Sequence, residues 1–229
     1  YSFSPSNEMA NPNLTWETVK PFNIGFDFGF FNNRVTLSAE YYNKKTQDLI
    51  YNIPLSSSQG LSSYVDNVGD LVNKGYEFAL NADIVRGGRD EFNMSVGFNL
   101  STLDNEITNL YGGTVNTSTT TLREGEGVRT FFMRKWAGVD AANGNPLWYI
   151  NGKDGETTSN YNTAQQAVQG SFLSTIFGGA NLSIGYKGFA LDSQFTYGFG
   201  GQIYDDWSSY MFNDGQYTLN YPGYADQMD

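Results

Sequence analysis

Residues 22–30 read Phe-Asn-Ile-Gly-Phe-Asp-Phe-Gly-Phe, with a large apolar side chain at every second position. Successive side chains on an extended strand point to opposite faces. Phe22, Ile24, Phe26, Phe28 and Phe30 therefore share one face, and Asn23, Gly25, Asp27 and Gly29 the other. The pattern returns over residues 35–43, 76–84, 92–100, 180–186 and 189–199. Val35, Leu37, Ala39 and Tyr41 oppose Thr36, Ser38, Glu40 and Tyr42; Phe78 and Leu80 oppose Glu77 and Ala79; Met94, Val96 and Phe98 oppose Ser95 and Gly97. Ala180, Leu182 and Ile184 line up in the fifth segment, and Leu191, Phe195 and Tyr197 oppose Asp192, Gln194 and Thr196 in the sixth. A tilted strand needs about 9–11 residues to cross a bilayer, whereas the commonest strand of a globular protein has about 5–6. Two-faced segments of this length predict the wall of a transmembrane β-barrel.

The connections support that expectation. Phe31-Asn32-Asn33-Arg34, the stretch 85–91 with Gly87-Gly88, and Lys187-Gly188 are short turns rich in Gly and Asn. Residues 44–75 and 101–179 are expected to be long connections, and another begins after Gly200. Short and long alternate, as the periplasmic turns and external loops of outer-membrane barrels do. Charge follows the same logic. The charged residues inside the six segments, Asp27, Glu40, Glu77, Asp83 and Asp192, all fall on the polar face, predicted to be the lumen side. Phe22, Ile24, Phe26, Phe28, Phe78, Leu80, Met94, Val96, Phe98, Leu182, Ile184 and Phe195 are predicted to face lipid. Arg34, Arg86, Arg89 and Lys187 sit in turns, and Lys44 and Lys45 just past a strand end. A Lys or Arg on the lipid face would cost about 2–4 kcal/mol at mid-depth and little near the interface. A soluble β-sandwich would present the same apolar face, but its outer face would carry more Lys and Glu.

Composition narrows the chemistry. Thirteen basic and 24 acidic residues give a net charge of −11, which argues against nucleic acid as a partner. The mean hydropathy of −0.44 suits a barrel, half of whose strand residues are polar. The chain has neither Cys nor His, which removes thiolate and imidazole catalysis and most zinc chemistry. No apolar run is long enough for a transmembrane helix. The opening Tyr1-Ser-Phe-Ser-Pro-Ser has no initiator Met and reads like the interior of a longer sequence.

Within 101–179, residues 128–136 and 146–151 are expected to be a further strand pair joined through 138–145, and Thr114–Thr121 a polar loop. Glu124 with Glu126, or Asp205 with Asp206, offers a carboxylate pair of the kind glycosidases use, although neighbouring loop acids are usually solvated. Asp140, Asn143 and Asn145, or Asp154 and Glu156, supply oxygens of the type calcium takes, or close Asx turns. No catalytic or metal-binding set is assigned. Trp136, Trp148, Tyr149, Trp207 and Tyr210 are candidates for ligand or lid contact, or for an interfacial aromatic girdle. Tyr41, Tyr42 and Phe30, at strand ends, are expected in the girdle.

Several landmarks resemble, in order and spacing, the C-terminal barrel half of SusC/RagA-like TonB-dependent outer-membrane transporters. They are Asn11-Pro-Asn-Leu-Thr-Trp-Glu-Thr18, the strand over 22–30 with the turn Asn32–Arg34, and Ala39-Glu-Tyr-Tyr-Asn-Lys-Lys-Thr-Gln-Asp-Leu49. They continue with Asn67-Val-Gly-Asp-Leu-Val-Asn-Lys-Gly-Tyr-Glu77, Lys135-Trp-Ala-Gly-Val-Asp140 with Asn143-Gly-Asn-Pro146, and Gly178-Gly-Ala-Asn-Leu-Ser-Ile-Gly-Tyr-Lys-Gly-Phe189. The resemblance implies an all-β fold, a fragment of an antiparallel up-and-down barrel of about 22 strands. Residues 1–229 would be part of one barrel domain, with the plug domain and closing strands outside this chain. It also implies active import of oligosaccharides, peptides or similar nutrients across the outer membrane of a Gram-negative bacterium, energised by TonB acting on the plug. A SusD-like surface lipoprotein would lid the mouth, in transporter–lipoprotein pairs that can dimerise. No cofactor and no enzymatic activity are implied. A soluble β-rich binding or adhesion module and a passive porin are the alternatives.

Overall fold

The computed structural model describes residues 8–9, 11–56, 58, 60, 63–88 and 90–211. In chain order the strands are β1 (Glu8–Met9), β2 (Thr18–Phe30), β3 (Val35–Pro54), β4 (Ser63–Val85), β5 (Asn93–Thr102), β6 (Asp104–Leu110), β7 (Val115–Asn116) and β8 (Thr120–Leu122). They continue with β9 (Thr130–Met133), β10 (Trp136–Val139), β11 (Pro146–Tyr149), β12 (Thr157–Thr158), β13 (Ala167–Ser171), β14 (Ile176–Tyr186) and β15 (Phe189–Phe199), and one short helix, α1 (Asp206–Met211), follows. The six long strands form a sheet in the order β15-β14-β5-β4-β3-β2, every neighbour antiparallel. β1 and β6 pair with the outer part of β4.

The register carries the alternation across the whole wall. Phe28 faces Leu37, then Leu80, Phe98, Ala180 and Phe195 in one unbroken row. Asp27, Ser38, Ala79, Asn99, Gly179 and Thr196 form the row behind it. Because side chains alternate with period two, the twelve residues predicted to face lipid all share one face, and Asp27, Glu40, Glu77, Asp83 and Asp192 the other. Tight turns hold one end of the wall. Phe31, Asn32 and Asn33 take φ of 54°, 55° and 57°, and the Lys187-Gly188 turn takes 46° and 83°. These left-handed angles match the two central residues of a primed hairpin turn, whose twist follows that of the strands. Two guanidinium groups lock this end: Arg34 donates to the carbonyls of Asp83 and Ile84, and Arg86 pairs with the Asp83 carboxylate at 2.6 Å.

The other end departs from the sequence-based expectation. Residues 44–75 are largely strand: β3 runs on to Pro54 and β4 begins at Ser63. Lys44 and Lys45 therefore lie within a strand. The alternation fades past Asn43 because every residue from Lys44 to Asp48 is polar, while the backbone ladder continues through register shifts around Leu49, where Asp48 has φ 57°. The stretch Thr114–Thr121 is likewise a hairpin of β7 and β8, with Thr121 buried and its hydroxyl donated to Asn116 Oδ1 at 2.7 Å. The strand pair expected between 128–136 and 146–151 is narrower. β10 pairs with β11, whereas β9 pairs with β8 and β13 in a separate sheet. Tyr42 lies on the polar face, apart from the girdle expected for it, and its hydroxyl donates to Thr102 O at 2.9 Å.

The hydrophobic core sits beyond the wall, not in it. Val68, Leu71, Ile107, Leu110 and Leu122 are buried together, with Leu49, Tyr51, Ile53, Val115 and Val128 against them. The extended β3–β4 hairpin, β6 and the β7–β8 hairpin thus bury the apolar faces that none of them covers alone. Tyr111 clasps this assembly: its hydroxyl donates to Asp70 at 3.0 Å and Asp48 at 3.3 Å. Loss of water around the hydroxyl, then the two carboxylates, push its pKa up to about 12.

Two predictions follow from this packing. At Gly75 a Cβ would lie 2.0 Å from Thr102 O, a backbone atom, whereas at Gly97 it would meet the Asn181 side-chain amide at 2.1 Å. In the intact barrel Gly75→Ala is expected to cost about 1–3 kcal/mol and Gly97→Ala clearly less, because only a side chain can swing away. The temperature at which the folded band converts to the unfolded band on a denaturing gel checks this; equal shifts would refute it. The second concerns Tyr111. An upward shift favours the neutral phenol in the fold, so the clasp contributes fully below pH 10.0 and is lost as pH rises through about 12. The difference in 295 nm absorbance between wild type and Tyr111→Phe should titrate near pH 12; ionisation near the ordinary value would show that the clasp does not form.

Candidate functional site

β10 and β11 place Trp136 directly opposite Trp148, and β12 places Thr158 beyond it. The turn between β10 and β11 fixes this pairing. Asp140 accepts from Ala142 N at 2.9 Å and Asn143 Nδ2 at 2.7 Å, and Gly144 N donates to Asp140 O at 2.8 Å with Gly144 at φ 75°. The oxygens read as calcium-type donors thus close an Asx turn. Asn151 and Asp154 do the same in the next turn, where Asn151 Oδ1 accepts from Lys153 N and Asp154 N.

Trp148 meets Trp136 edge-on at 5.8 Å and Tyr161 edge-on at 5.1 Å, the T-shaped arrangement that the ring quadrupoles favour. The guanidinium of Arg134 lies 4.3 Å over the Tyr161 ring, and its Nε donates to Ala164 O at 2.9 Å. A cation stacked on a ring in this way holds the ring flat and keeps further N–H donors for another group. A cavity of about 660 Å³ opens here, with Arg134, Trp148, Tyr161, Gln166, Tyr204 and Asp206 among its lining. Flat rings beside amide, hydroxyl, guanidinium and carboxylate groups suit a polar ligand with apolar faces, a sugar or a peptide.

The structure gathers part of the predicted set. Trp136 and Trp148 are in contact. Tyr149, next on β11, lies under Lys135 Nζ at 5.5 Å. Trp207 is largely exposed and follows Asp206 of the cavity lining. Tyr210 lies on α1, and its side chain is outside the described residues. Arg134, Tyr161 and Tyr204 were not legible as site residues, because each comes from a different segment and the segments meet only through the small sheets. The paired acids have structural partners. Glu124 Oε1 accepts from Leu110 N at 2.8 Å, and Asp205 caps α1 by accepting from Ser208, whose hydroxyl holds that carboxyl below its ordinary pKa.

On the wall, Glu40 and Glu77 stand directly opposite each other on the polar face. Lys44, on the same face, joins Glu40, Tyr42 and Glu77 around a groove of about 460 Å³. A charged, hydrogen-bonding face is thereby set behind an apolar one.

Known proteins share this architecture. The family model described as TonB dependent receptor-like, beta-barrel matches residues 1–225. TonB-dependent receptor P3 of Formosa agariphila is 32% identical over 86% of this chain, and TonB-dependent receptor SusC of Bacteroides thetaiotaomicron is 35% identical over 48% of it. The solved structure of the RagAB peptide transporter superposes with a TM-score of 0.76 at 30% identity over 84% of the chain. The chain spans 22% of the length of the P3 receptor, 11% of SusC and 22% of the superposed RagAB chain. An antiparallel wall with one apolar face, a TM-score of 0.76 and a family match over 1–225 together place this chain in the TonB-dependent receptor β-barrel family.

Proposed function

We propose that this chain is a stretch of barrel wall and external surface of an importer in the outer membrane of a Gram-negative bacterium. The plug that answers to TonB belongs to the rest of the protein, and residues 1–229 are part of a single barrel domain. The observation that carries the reading is the apolar row running unbroken from Phe28 to Phe195, with Asp27, Glu40, Glu77, Asp83 and Asp192 all behind it. A soluble sheet has no need to keep charge off one face throughout residues 22–30, 35–43, 76–84, 92–100, 180–186 and 189–199, whereas a lipid-facing wall does. The tight-turn end is then periplasmic, and the core, the small sheets and the aromatic cavity stand outside the cell.

In this arrangement Trp136, Trp148, Tyr161 and Arg134 contact incoming substrate or the lid, and the Glu40–Glu77–Lys44 surface lines the lumen. Import works by binding and by shifts of lid and plug, without covalent chemistry. Oligosaccharides and peptides are the substrate classes supported, the first by the exposed rings and the second by the likeness to the RagAB peptide transporter. That likeness and the one to SusC also support a SusD-like lipoprotein partner.

Deleting the gene for the full protein, or removing TonB, is expected to abolish uptake of its nutrient; uptake unchanged in both strains refutes the reading. Spin labels at Phe26 and Asp27 should report oxygen-rich and water-rich surroundings respectively, and a Phe26 label packed against protein would point to a soluble sheet. Trp148→Ala, with the barrel still folded, should weaken substrate or lid binding about tenfold or more. Calorimetric titration of the purified transporter with substrate and with lipoprotein reads this, and unchanged affinity for both removes the cavity from the function.

A further inference from the structure

The wall's two rims use their basic residues differently. At the tight-turn rim Arg34 and Arg86 are committed to backbone carbonyls and to Asp83. At the opposite rim Lys20 stands directly opposite Lys45 in the β2–β3 register. Phe22, Ile24, Phe26, Phe28 and Phe30 lie on the same face as Lys20, so both ammonium groups belong to the apolar face. Like charges facing across a ladder destabilise it, yet both lysines are exposed and neither forms an ion pair with a carboxylate among the described residues. The ion pairs formed among the described residues are Lys74–Asp104 and Arg86–Asp83. Lys20 donates to Gln47 Oε1, and Lys45 has no hydrogen-bond or ion-pair partner among the described residues.

The nearby acids are otherwise engaged or set apart. Asp104 holds Lys74 at 3.1 Å, and Glu106 is separated from Lys45 by the Val72 position in the ladder. Asp70 takes the Tyr111 hydroxyl at 3.0 Å, and Glu17 takes Ile50 N at 2.7 Å. A groove of about 460 Å³ runs beside the pair, lined by Lys20, Lys45, Gln47, Asp70, Val72 and Thr108. Its height is telling. From Phe30 to Lys20 the strand advances about 33 Å, or about 25 Å across a membrane at a tilt of about 40°, which is the height of a barrel's apolar band. Tyr41 and Tyr76 touch at 5.3 Å just below, and Trp16, 90% exposed, precedes β2. Such rings mark a membrane–water boundary.

We propose that Lys20 and Lys45 bind the phosphate of an outer-leaflet lipid headgroup, so that this part of the wall carries a phosphorylated lipid at its external rim. One phosphate bridging two ammonium groups converts a repulsive pair into two charge-assisted contacts. The inference rests on the reading of the apolar face as lipid-facing. A lipid is favoured over an acidic lid surface because the lysines share their face with Phe22 and not with the lumen groups.

The test uses the full-length transporter purified in detergent and stripped of lipid. Phosphorylated lipid A, enzymatically dephosphorylated lipid A and inorganic phosphate are each titrated against wild type, Lys20→Gln/Lys45→Gln and Lys20→Arg/Lys45→Arg, and bound lipid is read by native mass spectrometry. Wild type should bind phosphorylated lipid A about tenfold or more tightly than the glutamine variant, and the arginine variant should match wild type. Inorganic phosphate alone should leave the lipid bound. Equal binding of the two lipids by wild type, or equal binding by wild type and the glutamine variant, overturns the proposal. So does displacement of the lipid by inorganic phosphate, or loss of the lipoprotein lid with lipid binding unchanged. If the glutamine variant does not fold, the comparison of the two lipids on wild type decides. Failure here with a Phe26 label still in lipid rejects the lysine site alone; a Phe26 label in water or protein rejects the lipid-facing wall itself.

Discussion

The cross-strand backbone ladder is the interaction on which the rest of this structure depends. β2 is the clearest case: all 13 of its residues are exposed, and among the described residues its position is set by hydrogen-bonded register with β3. The same ladder keeps β5 beside β14 although residues 103–175 intervene in the chain. A backbone amide deprived of water must be paired internally, and for strands only a laterally continuous sheet achieves this. The small sheets, the core and the aromatic cavity are all insertions that leave this order undisturbed.

That division separates two kinds of stabilisation. The wall is held by hydrogen bonds and by ring contacts along its apolar face, such as Phe26–Phe28 at 6.4 Å and Phe98–Tyr197 at 6.0 Å. The outer region is held as a globular protein is, by burying Val68, Leu71, Ile107, Leu110 and Leu122. On the proposed reading, lipid supplies the apolar surroundings that the wall does not make for itself. The outer region builds its own by packing the extended β3–β4 hairpin against β6 and the β7–β8 hairpin.

Both sets of functional groups are products of register. Glu40 and Glu77 face each other because β3 and β4 pair without a shift below Thr46. Lys20 and Lys45 face each other for the same reason one strand over. In the cavity, Trp148 takes its place between Trp136 and Tyr161 because the Asp140 turn closes β10 onto β11. A one-residue slip in any of these pairings would turn the side chains to opposite faces.

The sequence by itself determined the wall: which residues share the apolar face, where the tight turns fall, and where acids are allowed. It could do so because period-two alternation persists wherever one face is apolar and the other polar, as at Phe22–Phe30. From Lys44 to Asp48 every side chain is polar and the alternation fades, so the extension of β3 to Pro54, the bulge at Asp48 and the burial of Thr121 were not legible. Only the tertiary structure brought Arg134, Tyr161 and Tyr204 beside Trp148, since short strands far apart in sequence meet through ladders whose partners composition does not name. It alone also set Lys20 against Lys45, because that juxtaposition depends on which residue pairs with which across a gap between strands, and register is a property of two strands together.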